Sequence, residues 1–393
     1  MTELVFTPKQ LEQLRNTVKP LAEAFTLPPW CYNSPEFYQA EVREIFTKSW
    51  IGITRVEDIP NPGDYVCAEI AEEPIIVLRD KDAKVRALSR TCRHRGACLI
   101  DGRGNTRFLR CPFHGWTYDL KGNLIAARHM EDTSDFDPAT WSLPELKVEI
   151  WEGFIFINFD NDAPPLTPRL GPIEARIKRY RLSELRATGP MSFWNECNWK
   201  LSTEQAMDMY HVPDTHFMPQ AANWTARAFV EQDPHGCWTM LYTASRDRVH
   251  PYVTGTNQVK TPFPAIEGLT EIELGSFVLF IIYPCTIIGV LPQGALTFQM
   301  WPQGHDRTNV ILNILVSQSG LKIDNYEEAL RQTQEGFIIT NNQDMHSAKL
   351  THKGMKSRTL TPGRFSHLER ATWELDRYVI DKVANHQLYG DAL

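Results

Sequence analysis

The chain has 393 residues, 42% hydrophobic and 23% charged, the proportions of a globular protein with room for two or three domains. Its net charge of −7 at pH 7 argues against nucleic-acid binding driven by counterion release. The longest apolar run, 277–291, is broken by Pro284 and Gly289 and is too short to span a bilayer. The first residues lack a basic stretch followed by an apolar core, so the expected location is cytoplasmic. Eight cysteines (Cys31, Cys67, Cys92, Cys98, Cys111, Cys197, Cys237 and Cys285) are scattered along the chain, unlike a secreted disulfide framework. Those without a metal to bind are expected to be buried free thiols.

Residues 1–49 read as helices that pack on a later domain. Thr7-Pro8-Lys9-Gln10 is a helix start, with Thr as cap, Pro in the first turn and Gln three residues on. Ser34-Pro35-Glu36 repeats the device.

From 50 to 160 the pattern changes to short runs of β-branched and aromatic residues separated by turn residues such as Lys121-Gly122-Asn123. This is a small β domain. It contains Cys92-x-His94 and, sixteen residues later, Cys111-x-x-His114. Structural zinc sites usually place a Cys pair in one knuckle. Here each knuckle has one Cys and one His. That mix suits a Rieske [2Fe–2S] cluster, with both thiolates on one iron and both imidazoles on the other. Neutral imidazoles leave the cluster less negative, so it accepts an electron more readily.

Residues 161–172 are Pro-rich and read as an extended linker. A basic amphipathic helix is expected over 173–185, its charges facing solvent or an acidic electron donor. The remainder, to 393, mixes strands near 237–245, 275–290, 295–302 and 308–317 with a long helix from 326 to 350 and a last one over 368–385. An antiparallel sheet over a long C-terminal helix makes the fold class α+β.

A second metal site is expected within 204–216. His211 and His216 are five apart, too far round an unbroken helix to share a face. Pro213 disfavours helix at Val212, which places the helix end near His211 and lets the chain fold back. Two imidazoles then need a carboxylate to complete the set used by non-heme Fe(II) oxygenases. Spacing leaves Asp208, Glu204, Asp214 and Asp344 open for that part, with Asp208 placed on the same helical face as His211.

The Cys-x-His and Cys-x-x-His box, its continuation Gly115-Trp116-Thr117-Tyr118-Asp119, and His211/His216 resemble the large (alpha) subunit of a Rieske non-heme iron oxygenase. The resemblance runs from about residue 50 to 344. It implies a helix-grip (START-like) catalytic domain and a Rieske domain. It implies cluster ligands Cys92, His94, Cys111 and His114, and a mononuclear Fe(2+) held by His211, His216 and Asp344. It gives Asp208 the task of linking His211 to a cluster histidine, His114, of a neighbouring subunit. That requires an oligomer, a homotrimer by family, and leaves a small beta subunit open. The chain has no Gly-rich dinucleotide fingerprint, so NAD(P)H electrons would come through a separate flavin reductase or ferredoxin. One departure is Glu204, which stands where some aromatic dioxygenases carry an amide near the iron.

The vacant iron face, where dioxygen meets substrate, is expected near Glu204, Met207, Met209, Val212, Phe217, Phe337 and Asn341, with Thr340 and Ala348 on the same stripe as Phe337. Such walls fit an organic molecule with an apolar body, and Glu204-Gln205 with Asp208-Met209-Tyr210-His211 resemble aromatic-ring dihydroxylating enzymes, which implies an aromatic substrate. The rival is a quaternary amine or methyl ether, attacked by a monooxygenase or demethylase. A quaternary amine would need a cation site from Trp224, Tyr242, Tyr283 or Trp301. Alternatives of other classes are an electron-transfer Rieske protein without mononuclear iron and a zinc-bound interaction module.

Overall fold

The computed structural model describes residues 4–217, 229–244 and 262–390. It divides into two compact units, Thr47–Thr167 and the combined segments Met1–Phe46 and Pro168–Leu393.

In the first unit, seven antiparallel strands follow the order Ile51–Arg55, Phe154–Asn158, Glu145–Trp151, Val85–Ser89, Glu73–Arg79, Asp64–Ile70 and Arg103–Asn105. A three-stranded sheet of Leu109–Arg110, Thr117–Tyr118 and Leu124–Ala126 stands beside it. Asp119 closes the last of these hairpins by accepting the Lys121 and Asn123 N–H groups at 2.8 and 2.9 Å. This is the side-chain-to-backbone bonding that makes Asp a turn former.

The second unit is built on eight antiparallel strands. Arg186–Ala187 begins the order, followed by Thr308–Val316, Gly294–Pro302, Thr286–Leu291, Ser276–Ile282, Trp238–Ala244 and Phe229–Gln232. Met191–Asn195 also pairs with Thr308–Val316. The run expected near 275–290 is therefore two strands, parted by a turn at Pro284. The helix Tyr326–Met355 buries Ala329, Thr333, Phe337, Thr340, Asn341, Ala348 and His352, the three-and-four spacing of one helical stripe. The helix Trp199–Met207 packs against it and against the sheet. A last helix, Arg370–Tyr389, ends at Gly390, whose φ is 71°. Among the described residues no helix is long and apolar enough to cross a membrane.

At the N-terminal side, Thr7 forms the expected capping box with Gln10 over the helix Pro8–Thr17. Ser34 caps Pro35–Glu41 by accepting the Phe37 N–H at 3.1 Å. Lys200 and Glu41 form an ion pair at 2.5 Å with both side chains fully buried. Trp199 Nε1 donates to the second Glu41 oxygen at 3.1 Å. Truncating one member of such a pair strands the other charge in the core. Lys200→Met is accordingly expected to lower unfolding stability by about 3–5 kcal/mol, measured by urea denaturation, whereas Lys200→Met combined with Glu41→Gln recovers much of that loss.

Three local expectations fail. The linker is not extended to 172, since Thr167–Leu170 is a 3-10 turn and Gly171–Ile177 is helical. The helix expected over 173–185 stops at Ile177. It is followed by 3-10 turns on either side of Arg181, whose φ of 48° reverses the chain. Its charges do face solvent, with Glu174, Lys178, Arg179, Arg181 and Glu184 exposed; Arg176 pairs with Glu231 at 2.6 Å and Arg179 with Glu273 at 3.3 Å. The thiols are free, but Cys98 is exposed and Cys67 only partly buried.

Candidate active site

The loops carrying Cys92 and Cys111 fold alike. In each, the glycine four residues after the cysteine donates its N–H to the cysteine carbonyl, Gly96 at 3.0 Å and Gly115 at 3.1 Å. Both glycines have left-handed φ, 76° and 72°, a conformation that costs a side-chain-bearing residue about 1–2 kcal/mol. The reversal leaves Cys92 and Cys111 2% and 3% exposed, in a core that includes Leu109, Trp116 and Tyr118. His94 and His114 stand exposed, ring centroids 4.6 Å apart. Trp116 stacks under His94 at 4.9 Å and 10°. The Tyr118 hydroxyl lies 3.5 Å from Cys92 Sγ, placed to hydrogen-bond a sulfur. Among the described residues these four side chains do not bring their ligand atoms within 4.8 Å of one another, as a single tetrahedral zinc would require. Buried sulfurs and outward imidazoles are the division a two-iron cluster uses.

In the other unit, His211, His216 and Asp344 do converge. The Nε2 atoms are 3.3 Å apart, and Asp344 Oδ1 is 3.4 Å from His211 Nε2 and 3.3 Å from His216 Nε2. His211, His216 and Asp344 could together hold one metal ion, and two imidazoles with a carboxylate are the set used by non-heme Fe(II) oxygenases, where the iron would supply oxygen activation. The outer nitrogens are fixed as well. His211 Nδ1 is 3.2 Å from Asp208 Oδ2, and His216 Nδ1 is 2.9 Å from Gln343 Oε1. Each partner is an acceptor, an arrangement that favours the hydrogen on Nδ1 and would leave each Nε2 lone pair for a metal. Burial lowers the His211 pKa, but Asp208 and Asp344 outweigh it and raise it to about 10. That excess of negative charge suits a dication.

The local chain path differs from the expected one. The helix ends at Met207, and Asp208 is its extended cap, with φ −82° and ψ 124°. His211 caps the next short helix, Val212–Thr215. Asp208 therefore meets His211 across a turn rather than along a helical face.

A cavity opens at the triad. Its apolar wall is Phe277, Leu279, Leu296, Phe298, Met300, Val310 and Phe337; Met209 and Ala206 also line it, and its polar groups include Ser202, Gln205, Thr340 and Asn341. Alternate residues of Ser276–Ile282 and Gly294–Pro302 face it, as the period of two requires. Gly289 keeps this wall closed up, because a Cβ there would sit 3.0 Å from the Phe277 ring and 3.2 Å from Leu296.

Of the residues expected at the substrate face, the structure brings Met209, Phe337 and Asn341 to the cavity, with Thr340. The others lie elsewhere. Met207 and Val212 are 0% and 1% exposed without lining the cavity, as is Ala348 at 3%. Phe217 is 72% exposed. Glu204 is not in the cavity wall; it accepts the Tyr32 hydroxyl at 2.8 Å. The amide beside the triad is its neighbour: Gln205 Nε2 donates to Asp344 Oδ1 at 3.4 Å. Gln205 and Gln343 are among the site residues that sequence reasoning missed, with Ser202, Ala206 and Val310 of the cavity wall, although both glutamines flank residues it had singled out. Tyr242, Tyr283 and Trp301 are absent from the cavity wall. Tyr283 stacks on Tyr378 at 4.3 Å, and Trp224 falls outside the described residues.

Comparison with known proteins agrees with this geometry. Residues 49–143 match the Rieske [2Fe-2S] domain, and residues 176–385 match the ring hydroxylating alpha subunit (catalytic domain). The carnitine monooxygenase oxygenase subunit of Acinetobacter baumannii is 27% identical over 348 residues, 85% of this chain and 86% of that one. The benzene 1,2-dioxygenase alpha subunit of Pseudomonas putida is 33% identical over 195 residues, 48% of this chain and 43% of that one. A quaternary ammonium Rieske monooxygenase solved with L-carnitine superposes with a TM-score of 0.73 at 23% identity, covering 96% of this chain and 98% of its own. Fold and site together define a Rieske-type oxygenase component, with a [2Fe–2S] cluster and a mononuclear iron. The chain belongs to the ring-hydroxylating oxygenase alpha-subunit family. It is a non-heme iron mono- or dioxygenase and the terminal component of its electron chain.

Proposed function

We propose that this oxygenase hydroxylates an organic molecule with an apolar, aromatic body, using iron held by His211, His216 and Asp344. The observation that carries the reading is a three-ligand face opening directly onto a cavity walled by Phe277, Phe298, Phe337 and six aliphatic or thioether side chains. Iron on such a face supplies oxygen activation when electrons arrive. The protein's own part is to hold the imidazoles as Nε2 donors, exclude water, and orient a substrate by apolar contact and a few hydrogen bonds. Cys92, His94, Cys111 and His114 hold the cluster, which takes electrons from NAD(P)H through a reductase, with or without a ferredoxin. Asp208 bonds His211 and hands it electrons from the cluster of a second copy in a head-to-tail trimer.

A second reading is favoured by the relatives, since the carnitine enzyme's similarity spans most of both chains. It makes the substrate a quaternary amine. Among the described residues, however, the cavity wall includes neither Tyr nor Trp to cage an ammonium, nor Arg or Lys to pair a betaine carboxylate.

Turnover with labelled dioxygen across aromatic acids, methyl ethers and betaines, read by product mass, decides between them. The aromatic reading expects label in a ring hydroxyl or diol. Formaldehyde or cleaved trimethylamine from a betaine overturns it. Purified protein is expected to carry about three irons and about two acid-labile sulfides per chain; about two irons would remove the mononuclear site.

A further inference from the structure

Beyond Asp208 and the triad, the polar side chains of the cavity are Ser202, Gln205, Thr340 and Asn341. Two of these are engaged within the protein. The Thr340 hydroxyl donates to the Gly336 carbonyl at 3.2 Å. Ser202 Oγ accepts from Asn195 Nδ2 at 2.9 Å and lies 3.2 Å from Cys197 Sγ. The two amides differ. Gln205 Nε2 donates to Asp344 Oδ1 at 3.4 Å, and Asn341 Nδ2 donates to Met345 Sδ at 3.5 Å. A carboxylate and a thioether accept hydrogen bonds but have no hydrogen to give. Each therefore takes its amide by the nitrogen and fixes which end is which. Neither carbonyl oxygen, Gln205 Oε1 or Asn341 Oδ1, meets a donor among the described residues.

Asn341 is the more deeply set of the two. It stands one helical turn before Asp344 on Tyr326–Met355, on the same stripe, and is 6% exposed. A carbonyl oxygen at that depth is costly to leave unpaired, more so than a typical hydrogen bond is stabilising. The rest of the wall is apolar, and among the described residues it includes no Arg or Lys to pair with an anion.

We propose that Asn341, its amide held by Met345, accepts a hydrogen bond from the substrate, and that the substrate is accordingly an aromatic molecule bearing a neutral O–H or N–H group. The proposal rests on the aromatic reading above and names the class within it. An analogue lacking the hydrogen is rejected because it leaves the carbonyl oxygen without a partner. Gln205 Oε1 is a second acceptor, but a change at Gln205 would also disturb Asp344, so the test falls on Asn341.

The experiment measures equilibrium dissociation constants by calorimetry, without dioxygen, on the full-length holoprotein. The probes are benzyl alcohol, benzyl methyl ether and ethylbenzene. They share a ring and offer a hydrogen, an acceptor alone, or neither. Apolar transfer by itself favours ethylbenzene, so the informative quantity is the change in a ratio on substitution. Asn341→Leu is expected to weaken benzyl alcohol about tenfold relative to ethylbenzene. The ether is expected to hold its ratio to ethylbenzene within about twofold. An unchanged alcohol ratio would overturn the proposal. So would an equal loss for the ether, because the amide would then be donating to the ligand.

Met345→Leu is the second variant, should Asn341→Leu not fold. Leu fills nearly the same volume but cannot accept a hydrogen bond, so the amide is free to turn and present its N–H. The alcohol-to-ether preference of the wild type is expected to shrink several-fold, and a constant preference refutes the orientation that the proposal needs. Phenylacetate is expected to bind more weakly than benzyl alcohol; tighter binding of this anion overturns the neutral class. Glycine betaine binding more tightly than the aromatic probes, or no aromatic binding at all, would strike down the aromatic reading itself. Aromatic binding with an unmoved alcohol ratio would strike down Asn341 alone.

Discussion

His211→Ala is expected to abolish product formation, by more than about 10³-fold, while the visible absorption of the cluster stays intact. The geometry separates the two outcomes. His211 Nε2 supplies one corner of a triangle with sides of 3.3–3.4 Å, and two remaining ligands leave an ion both weakly held and wrongly faced. The cluster ligands lie in the other compact unit, 47–167, with their own turns and core, so their spectrum should not change. Iron content falling by about one per chain, with acid-labile sulfide constant, is the supporting measurement. Bleaching of the cluster, or activity within a few-fold of wild type, would sink the assignment.

Asp208→Asn is the second large effect, and it should look different. An amide at 208 can still contact His211 Nδ1, but it brings no charge, and it can present its NH₂ to a nitrogen that already carries a hydrogen. Loss of a carboxylate behind a metal-bound imidazole costs about 10–100-fold in metal affinity or activity. If Asp208 also carries electrons between copies, the loss exceeds what iron content explains. The cluster of the variant, once reduced chemically, should then stay reduced in the presence of substrate and dioxygen, whereas that of the wild type reoxidises. Rapid reoxidation in an iron-loaded variant would leave Asp208 a structural partner of His211 and nothing more.

Much of this site could be read from the residues alone, for an identifiable reason. Cys-x-His and Cys-x-x-His state their chemistry in the spacing, because a tight turn sets both ligands with no help from the rest of the chain. His211 and His216 were similarly legible, since Pro213 forces the chain to break between them. Asp344 was different. Its approach depends on the packing of Tyr326–Met355 against Trp199–Met207, and no local pattern encodes that; only the family resemblance singled it out from Asp208, Glu204 and Asp214. The error at Glu204 was one of phase. Successive residues on a helix point about 100° apart, so choosing Glu204 over Gln205 turned the expected contact off the face that meets Asp344 and onto the one that meets Tyr32. Its end at Met207 carried no Gly or Pro to mark it. The expected helix over 173–185 failed for a related reason: nothing in Lys178-Arg179-Tyr180-Arg181 announces the left-handed turn at Arg181.

The triad draws its members from two stretches far apart in the chain, one ending at His216 and the other in the middle of a thirty-residue helix. A bound ion is thus a cross-link as well as a reagent, and it closes a long loop of chain that would otherwise have to be held by side-chain packing alone. Chelation should therefore soften the catalytic unit, with faster amide exchange along Trp199–Met207 and the central turns of Tyr326–Met355, while the cluster-bearing unit keeps its protection.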